Sequence, residues 1–389
     1  MTTKQTVDYK KNYKQTEIGL IPKDWEVKKL NEVSLIETGG NAPQGNEYFK
    51  NGRHPFIRVQ HVPDNSLYVT KWDLINDLAI ARYKLKLFPK NSIVFPKSGA
   101  SIKLEKRALL PVECYVVSHL CVLQAMKQKI DAKFLFYVLK TLKFLLESAG
   151  TTLPYLNLST LAKRKIPVPP LAEQKKIAEI LSTVDEGIGK VDESIAKTER
   201  LKKGLMQRLL TKGIGHKEFK QTEIGLIPKD WEPIKLGEIV SLEYGQGLPE
   251  KLRRQGKYQV VGSNGVVGLH NKFLIKGPGI VVGRKGTIGG ITWLSADFWP
   301  IDTTYFIRLK KKHICLKWLY FLLVKLNLCK LGLSDVVPGL KRELVYALKI
   351  SLPSYEEQKK IAEILSTVDK RLELLKQRRE KLQRIKKGL

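Results

Sequence analysis

Residues able to do chemistry are present in this chain, but their spacing assembles no reaction centre. The most suggestive stretch is Gly277–Gly290, GPGIVVGRKGTIGG, whose glycines and Lys285 look like a phosphate cradle. A phosphate-binding loop needs GxxxxGK followed directly by Ser or Thr, whereas Lys285 is followed by Gly286 and only then Thr287. The stretch reads instead as a β-hairpin. A methyltransferase would need a glycine-rich cofactor loop and an NPPY-like tetrapeptide, and neither occurs. The histidines (His54, His61, His119, His216, His270, His313) are scattered, and Cys114, Cys121, Cys315 and Cys329 form no CxxC or Cys/His ligand spacing. The thiols read as buried side chains in a reducing compartment, and no catalytic or metal-binding residue is expected. Recognition chemistry remains. Arg58, Gln60, His61, Lys97, Ser98, Ser101 and Lys103 form one basic, hydrogen-bonding set in turn-like sequence. Arg253, Arg254, Lys257, Ser263, Asn264, Arg284, Lys285 and Thr287 form another. Arg and Asn side chains match guanine and adenine edges bidentately, whereas a lysine more often meets phosphate.

The balance of charge fits such a role. Lys and Arg number 69 against 38 Asp and Glu, a formal charge of +31 in 389 residues. A surplus of this size repels itself unless an anionic partner offsets it: nucleic acid, an acidic protein or an anionic membrane surface. A generally lysine-rich proteome is the plainer explanation. The most apolar runs, Phe134–Leu146 and Trp318–Leu328, are short and broken by Lys140, Lys143 and Lys325, so neither spans a bilayer. Met1–Lys14 is polar throughout and is no signal peptide, which leads to the expectation of a soluble, cytoplasmic protein.

The elements that must position these residues are set by an internal duplication. KQTEIGLIPKDWE fills Lys14–Glu26 and recurs without change at Lys220–Glu232; EQKKIAEILSTVD fills Glu173–Asp185 and recurs at Glu357–Asp369. The first block is offset by 206 positions and the second by 184, so the second copy is 22 residues shorter. The 206 offset holds at Pro43/Pro249, and the 184 offset holds already at KFLFYVL (Lys133–Leu139) against KWLYFLL (Lys317–Leu323). It persists through LPYLN (Leu153–Asn157) against VPGLK (Val337–Lys341). The whole difference therefore falls inside a divergent insert. Those inserts carry β-branched runs and Gly/Pro/Asn turns, while Asp131–Ser148 and Leu316–Leu331 have helical periodicity. An α+β domain with a curved or barrel-like sheet and a packed helix is expected in each copy.

After Pro167–Pro170 and Ser351–Ser354 each copy enters a helix, at Glu173 and Glu357. Apolar residues at Ile177, Leu181, Val184, Ile188, Val191 and Ile195 alternate by four and three, as do Ile361, Leu365, Val368, Leu372 and Leu375. That is a narrow coiled-coil seam. A helix from Leu171 to about Thr211 would be roughly 60 Å long, too long to bury its stripe on one small domain. The two helices are expected to pair antiparallel within the chain, as a caliper with a domain at each end; a solvated linker and a dimer between chains are the alternatives. The 184 offset maps Leu205 onto Leu389, leaving Met206–Gly215 with no second counterpart, so the last helix is expected to be cut short.

Together these features resemble the specificity subunit of a Type I restriction–modification enzyme. The resemblance is carried by EIGLIPKDWE (Glu17–Glu26, Glu223–Glu232), PPLAEQKKIAEIL (Pro169–Leu181), PSYEEQKKIAEIL (Pro353–Leu365) and LLTKGIGHKEFKQTEIG (Leu209–Gly225). YGQGLP (Tyr244–Pro249), VVGSNGVVG (Val260–Gly268) and GPGIVVGRKGTIG (Gly277–Gly289) add to it, and it covers nearly the whole chain. It implies two target-recognition domains, residues 1–166 and 216–350, with spacer helices at 167–215 and 351–389. Each domain would bind half of a bipartite DNA site, with no catalysis by the chain itself. Two methyltransferase subunits (an adenine-N6 methylase) and restriction subunits would be its partners, carrying S-adenosylmethionine, ATP and Mg²⁺. Pro170, Leu171, Glu173 and Gln174, with Glu356, Glu357 and Gln358, stand at the near-identical helix starts and are the expected partner-binding residues. Plain helix capping explains the same identity. An autonomous enzyme, and a stand-alone DNA-binding regulator or scaffold, are the competing functions; a homodimer of the isolated chain stays open.

Overall fold

The computed structural model describes residues 12–64, 66–144, 148–149, 154–332 and 339–388. Met1–Lys11, Leu146, Leu153, Val337–Pro338 and Leu389, which figure in the expectations above, lie outside them. The chain divides into two compact units: residues 1–193 with 378–389, and residues 194–377. Both divisions fall inside a long helix, so each unit is completed by a helical segment from the other repeat.

In the first unit β1 (Tyr13–Thr16) and β2 (Gly19–Pro22) form a hairpin, and β3 (Glu26–Lys29) leads through α1 (Leu30–Val33) to β4 (Ser34–Thr38). The insert then supplies β5 (His54–Ile57), β6 (Asp73–Ile75), α2 (Asp77–Tyr83), β7 (Leu87–Phe88), β8 (Ile93–Pro96), β9 (Ala108–Leu109), β10 (Cys114–Val116) and β11 (Leu120–Ala125). α3 (Ala132–Thr141), β12 (Ser148–Ala149), β13 (Tyr155–Leu156), α4 (Leu158–Ala162) and β14 (Lys165–Val168) follow, before α5 (Leu171–Lys212). β14 returns to pair antiparallel with β3, so the beginning and end of the globular part are joined by one ladder.

The strands make open sheets. One is antiparallel, in the order β4-β11-β8-β9; the other, β6-β5-β10-β7, is mixed because β5 and β10 run parallel. A closed barrel does not form among the described residues. The antiparallel sheet is covered on both faces, which is why its strands read as continuous apolar runs. Ile93, Phe95, Cys121 and Leu123 face α3 and the start of α5, while Val94, Leu120 and Val122 face the mixed sheet with Phe56, Ile57 and Val116. Adjacent residues of one strand thus enter different cores, as the two-residue period requires.

The second unit repeats this plan: β15 (Phe219–Thr222), β16 (Gly225–Pro228), β17 (Glu232–Lys235), β18 (Val240–Tyr244), β19 (Tyr258–Gly262), β20 (Gly265–His270), β21 (Gly279–Gly283), β22 (Ile291–Leu294), β23 (Phe298–Pro300) and β24 (Thr304–Leu309). α6 (Leu316–Leu326), α7 (Arg342–Tyr346), β25 (Lys349–Leu352) and α8 (Tyr355–Gly388) complete it. The antiparallel sheet β18-β24-β21-β22 matches β4-β11-β8-β9, and β20-β19-β23 retains the parallel pair. Main-chain hydrogen bonds fix the correspondence. Gly39 and Gly40 donate to Leu120 and Val116; Gly245 and Gln246 donate to Thr304 and Pro300. Val117 donates to Ile57, and Ile301 to Val261. The divergent inserts are therefore one fold. Most of the length difference lies where the first copy carries α2, between Ile57 and Lys97.

Two local expectations change. The helix after β11 stops at Thr141 because the chain turns to bury Phe144 against Phe95, ring centroids 4.6 Å apart. Arg107, 3% exposed, takes the freed Leu142 carbonyl at 2.7 Å and lies 4.0 Å above the Phe144 ring. The thiols also differ from one another: Cys114 and Cys121 are buried, Cys315 is partly so, and Cys329 is exposed.

α5 and α8 start two residues ahead of the expected Glu173 and Glu357, and run antiparallel to each other within each unit. In the second unit Met206, Leu209 and Leu210 pack with Ile361, Ala362 and Leu365, and Lys202 pairs with Asp369 at 2.6 Å. In the first, Asp192 pairs with Arg379 at 2.6 Å and Asp185 with Lys386. None of the heptad residues from Ile177 to Ile195 or from Ile361 to Leu375 is exposed. At roughly 1.5–3 kcal/mol for each fully buried aliphatic side chain, this seam outweighs any single ion pair along it.

Gly39 and Gly245 are held by close approach: a Cβ on either would stand inside contact distance of main-chain carbonyls, of Val116 and Val117 in one case and Pro300 and Ile301 in the other. Gly245→Ala is expected to destabilise the protein by about 2–3 kcal/mol, read as a lower urea midpoint. An unchanged midpoint would show that the strand end can move away.

Candidate nucleic-acid interface

In each unit the connection into the last strand of the antiparallel sheet gathers several strand ends around it. In the second unit this turn is Ile301–Thr303. The Thr303 carbonyl accepts the Arg284 N–H at 2.9 Å, the Lys285 N–H at 3.1 Å and the Ser263 hydroxyl at 2.7 Å. The end of β21 and the β19–β20 hairpin tip are thereby drawn together, placing Ser263, Asn264, Arg284, Lys285 and Thr287 side by side. Asn264, Lys285 and Thr287 are exposed. Gly277–Gly290 is indeed a hairpin, β21 with β22.

Arg253, Arg254 and Lys257 do not join this group. They lie at the opposite end of β19 and β20, about 17 Å away for five extended residues. Arg253 is engaged internally, with Nη1 on the Val267 carbonyl at 2.8 Å and Nε on that of Leu248 at 3.3 Å. Arg254 and Lys257 are exposed.

In the first unit the equivalent turn is Val117–His119. Lys97 donates its N–H to His119 at 3.0 Å and accepts from Leu156 at 2.8 Å; Arg284 donates to Thr303 and accepts from Leu340 at 2.9 Å. Lys97 and Arg284 thus hold one position of the fold. Ser98 bonds the His119 ring at 3.0 Å, and Ser101 donates to the Ser98 carbonyl, with Lys103 exposed on the same short turn. Arg58, Gln60 and His61 follow β5 on the other side of the Val117–His119 turn. Arg58 is neutralised by Asp73 at 2.7 Å and lies 5.3 Å from the Phe49 ring centroid. Burial holds the His61 imidazole below its usual range against the pull of Asp73. Gln60 is the exposed member.

Two residues with recognition chemistry escape a sequence reading. Tyr244, 52% exposed, ends β18 with its ring centroid 5.1 Å from that of Tyr305. Arg284 and Arg342 both lie over the Tyr244 ring, at 5.1 and 4.9 Å. Arg342 comes from α7, far along the chain, and only the fold shows that it shares a ring with Arg284. The Tyr305 phenol is pushed up to about 12 by burial and then by its hydrogen bond with Tyr244.

The helix starts are built differently from the expectation. Gln174 and Gln358 are each 1% exposed. Gln174 Oε1 accepts the Asp131 N–H at 2.8 Å and its Nε2 donates to the Pro169 carbonyl at 2.8 Å; Gln358 serves Cys315 and Pro353 in the same way, at 2.8 and 3.0 Å. These two amides are enclosed and cannot be offered to a partner, because both of their ends are satisfied within the fold. Glu173 accepts the Trp25 indole N–H at 3.1 Å, and Glu357 that of Trp231 at 2.8 Å. Glu357 also takes the Ile214 N–H and His216 Nε2, each at 2.8 Å. Pro170 and Glu356 are exposed and Leu171 partly so. The two identical blocks of each repeat are therefore in contact with each other.

Residues 22–198 and 228–384 match the family described as the Type I restriction modification DNA specificity domain. The chain belongs to this family. It is 29% identical over 421 residues to the Type I restriction enzyme MjaVIII specificity subunit of Methanocaldococcus jannaschii, covering 97% of this chain and 94% of that protein. To the EcoprrI specificity subunit of Escherichia coli it is 23% identical over 343 residues, 83% and 82% of the two chains. The crystal structure of a Type-I restriction-modification system S subunit from M. genitalium superposes with a TM-score of 0.69 at 18% identity, covering 94% of each chain. Both matched stretches begin at the same residue of the repeat, Pro22 and Pro228, just ahead of the Trp that clamps the long helix. Each match runs from just ahead of that tryptophan into the long helix.

Trp231→Phe is expected to cost roughly 1.5–3 kcal/mol, since it strips a hydrogen bond from the partly buried Glu357 carboxylate while retaining most of the aromatic volume. Thermal or urea unfolding reads it. A loss no larger than that of an exposed Trp→Phe change would remove the clamp from this account.

Proposed function

We propose that this chain is the DNA-reading subunit of a Type I restriction–modification complex and performs no chemistry itself. The observation that carries the reading is the turn platform, built twice by the same main-chain bonds but furnished with different side chains: Lys97, Ser98 and Gln60 in one copy, Arg284, Lys285, Ser263, Asn264 and Thr287 in the other. A duplicated protein reading one sequence twice would have no reason to diverge there. The charge of +31 supplies the sequence-independent attraction to phosphates.

In this reading residues 1–166 and 216–350 are the two target-recognition domains, each taking one half of a bipartite duplex site. Residues 167–215 and 351–389 set the gap and dock two methyltransferase subunits, with exposed Pro170 and Glu356 near the docking surface. Restriction subunits join that assembly, in the cytoplasm. S-adenosylmethionine, ATP and Mg²⁺ belong to the partners. The solved S subunit and the curated relatives support this reading by family membership, and a further likeness, TM-score 0.50, is to a chain in a structure titled for complex assembly of the Type I R-M system.

Co-expression with a cognate methyltransferase subunit is expected to give a complex that methylates DNA at one split sequence, while neither component does so alone. Methylation or cleavage by this chain alone would overturn the proposal. Exchange of Pro249–Lys317 for the insert of another family member is expected to change one half-site and leave the other half and the gap as they were. A change in both halves would overturn the assignment of one domain to one half.

A further inference from the structure

Arg284 and Arg342 lie over one exposed tyrosine ring, and among the described residues neither guanidinium makes an ion pair. Two like charges sharing one ring favour an acceptor-rich ligand that meets them both. Their surroundings differ. Arg342 Nη1 makes a long contact, 3.4 Å, to the Leu242 carbonyl. Arg284 is fixed on every side: main chain bonded to Thr303 and Leu340, Nη2 on the Asp302 carbonyl at 2.9 Å, guanidinium 5.1 and 5.9 Å from the Tyr244 and Tyr305 ring centroids. Its Nε is enclosed and finds no protein acceptor.

Resting on the DNA-reading function above, we infer that Tyr244, Arg284 and Arg342 form the specificity-determining site of the second domain, with Arg284 reading the O6/N7 edge of a guanine in duplex DNA. A stacked, immobilised guanidinium presents its fork in one orientation, which suits a planar two-acceptor edge. A phosphate asks for charge but little aim, and Arg342, more loosely held, serves the adjoining backbone. At the equivalent positions of the first unit Lys97, Thr38 and Cys121 stand where Arg284, Tyr244 and Tyr305 do, by the shared sheet register, and Leu158 where Arg342 does, by the 184 offset. The two half-sites are therefore read by different chemistry, and the guanine belongs to the half taken by the second domain.

The test is selection from a randomised duplex pool by the complex with its methyltransferase, comparing wild type with Arg284→Lys, Arg284→Ala, Tyr244→Phe and Arg342→Ala, each first checked for an unchanged thermal midpoint. Wild type is expected to select a guanine at one position of one half-site. Arg284→Lys and Arg284→Ala are each expected to lower that preference about 10- to 100-fold and leave every other position as it was. Tyr244→Phe, which keeps the ring, is expected to retain it. Arg342→Ala is expected to weaken binding to all sequences and to reduce the slope of log affinity against log salt by about one. Preference intact in both Arg284 variants would overturn the inference, as would a uniform loss with a shallower salt slope, which marks a phosphate contact. Failure of the wild-type complex to select any sequence would overturn the DNA-reading function itself, and this inference with it.

Discussion

A partly buried carboxylate at the start of each long helix holds the rest of the structure in place. Glu173 and Glu357 receive the indole N–H of Trp25 and Trp231, and the next residue, Gln174 or Gln358, closes onto the loop ahead of α3 or α6. Breaking the second bond would leave the indole N–H of Trp231, 1% exposed, without a partner, which costs more than the bond itself contributes. The clamp therefore fixes where each helix begins relative to its sheets. It also accounts for the identity of the repeated blocks: the opening block supplies the tryptophan, the helix block supplies Glu and Gln, and neither can drift without the other.

Helix pairing extends this constraint through the duplication. Lys202 of the first repeat pairs with Asp369 of the second and lies 5.9 Å from the Phe321 ring centroid. Lys386 of the second pairs with Asp185 of the first and lies 5.9 Å from the Tyr137 ring centroid. Asp185 also accepts the Tyr137 hydroxyl at 3.0 Å, and burial, followed by the Asp185 charge, raises the Tyr137 phenol well above its ordinary range. One helix sequence written twice thus makes the same kind of contact twice, each copy completing the unit of the other. A seam of this kind needs only the heptad alternation and one complementary charge pair, both present in EQKKIAEILSTVD and its continuation.

How much of this is legible in sequence depends on how far apart the interacting residues lie. The duplication, the heptads and the α+β class are local patterns, and Ile177 through Ile195 declare their period without any tertiary knowledge. Burial of Gln174 is not local: a glutamine on an otherwise charged helix looks like a surface residue until the Asp131 N–H is placed beside it. Arg253 and Arg284 read alike in sequence, yet one anchors a hairpin carbonyl while the other sits on a tyrosine. Tyr244 is legible only as the first residue of YGQGLP and Arg342 not at all, since they meet Arg284 only through the β18–β24–β21 register and the return of α7. The Asp131–Ser148 periodicity overruns the helix end at Thr141 for the same reason: Arg107, which donates to the Leu142 carbonyl, comes from a distant loop.

The divergence of the inserts has a physical source in the platform itself. Its bonds run from main chain to main chain: Gly39 to Leu120, Val117 to Ile57 and Lys97 to His119 in one copy, Gly245 to Thr304, Ile301 to Val261 and Arg284 to Thr303 in the other. Bonds of this kind are indifferent to side-chain identity, so Lys97 and Arg284 can differ while their backbones occupy the same place. The close-approach glycines are the exception, because there the absent side chain is the requirement. A scaffold held by backbone bonds and a few glycines leaves its outward side chains free to change without unfolding the domain. That freedom lets one fold, duplicated once, carry a lysine on one platform and a stacked arginine on the other.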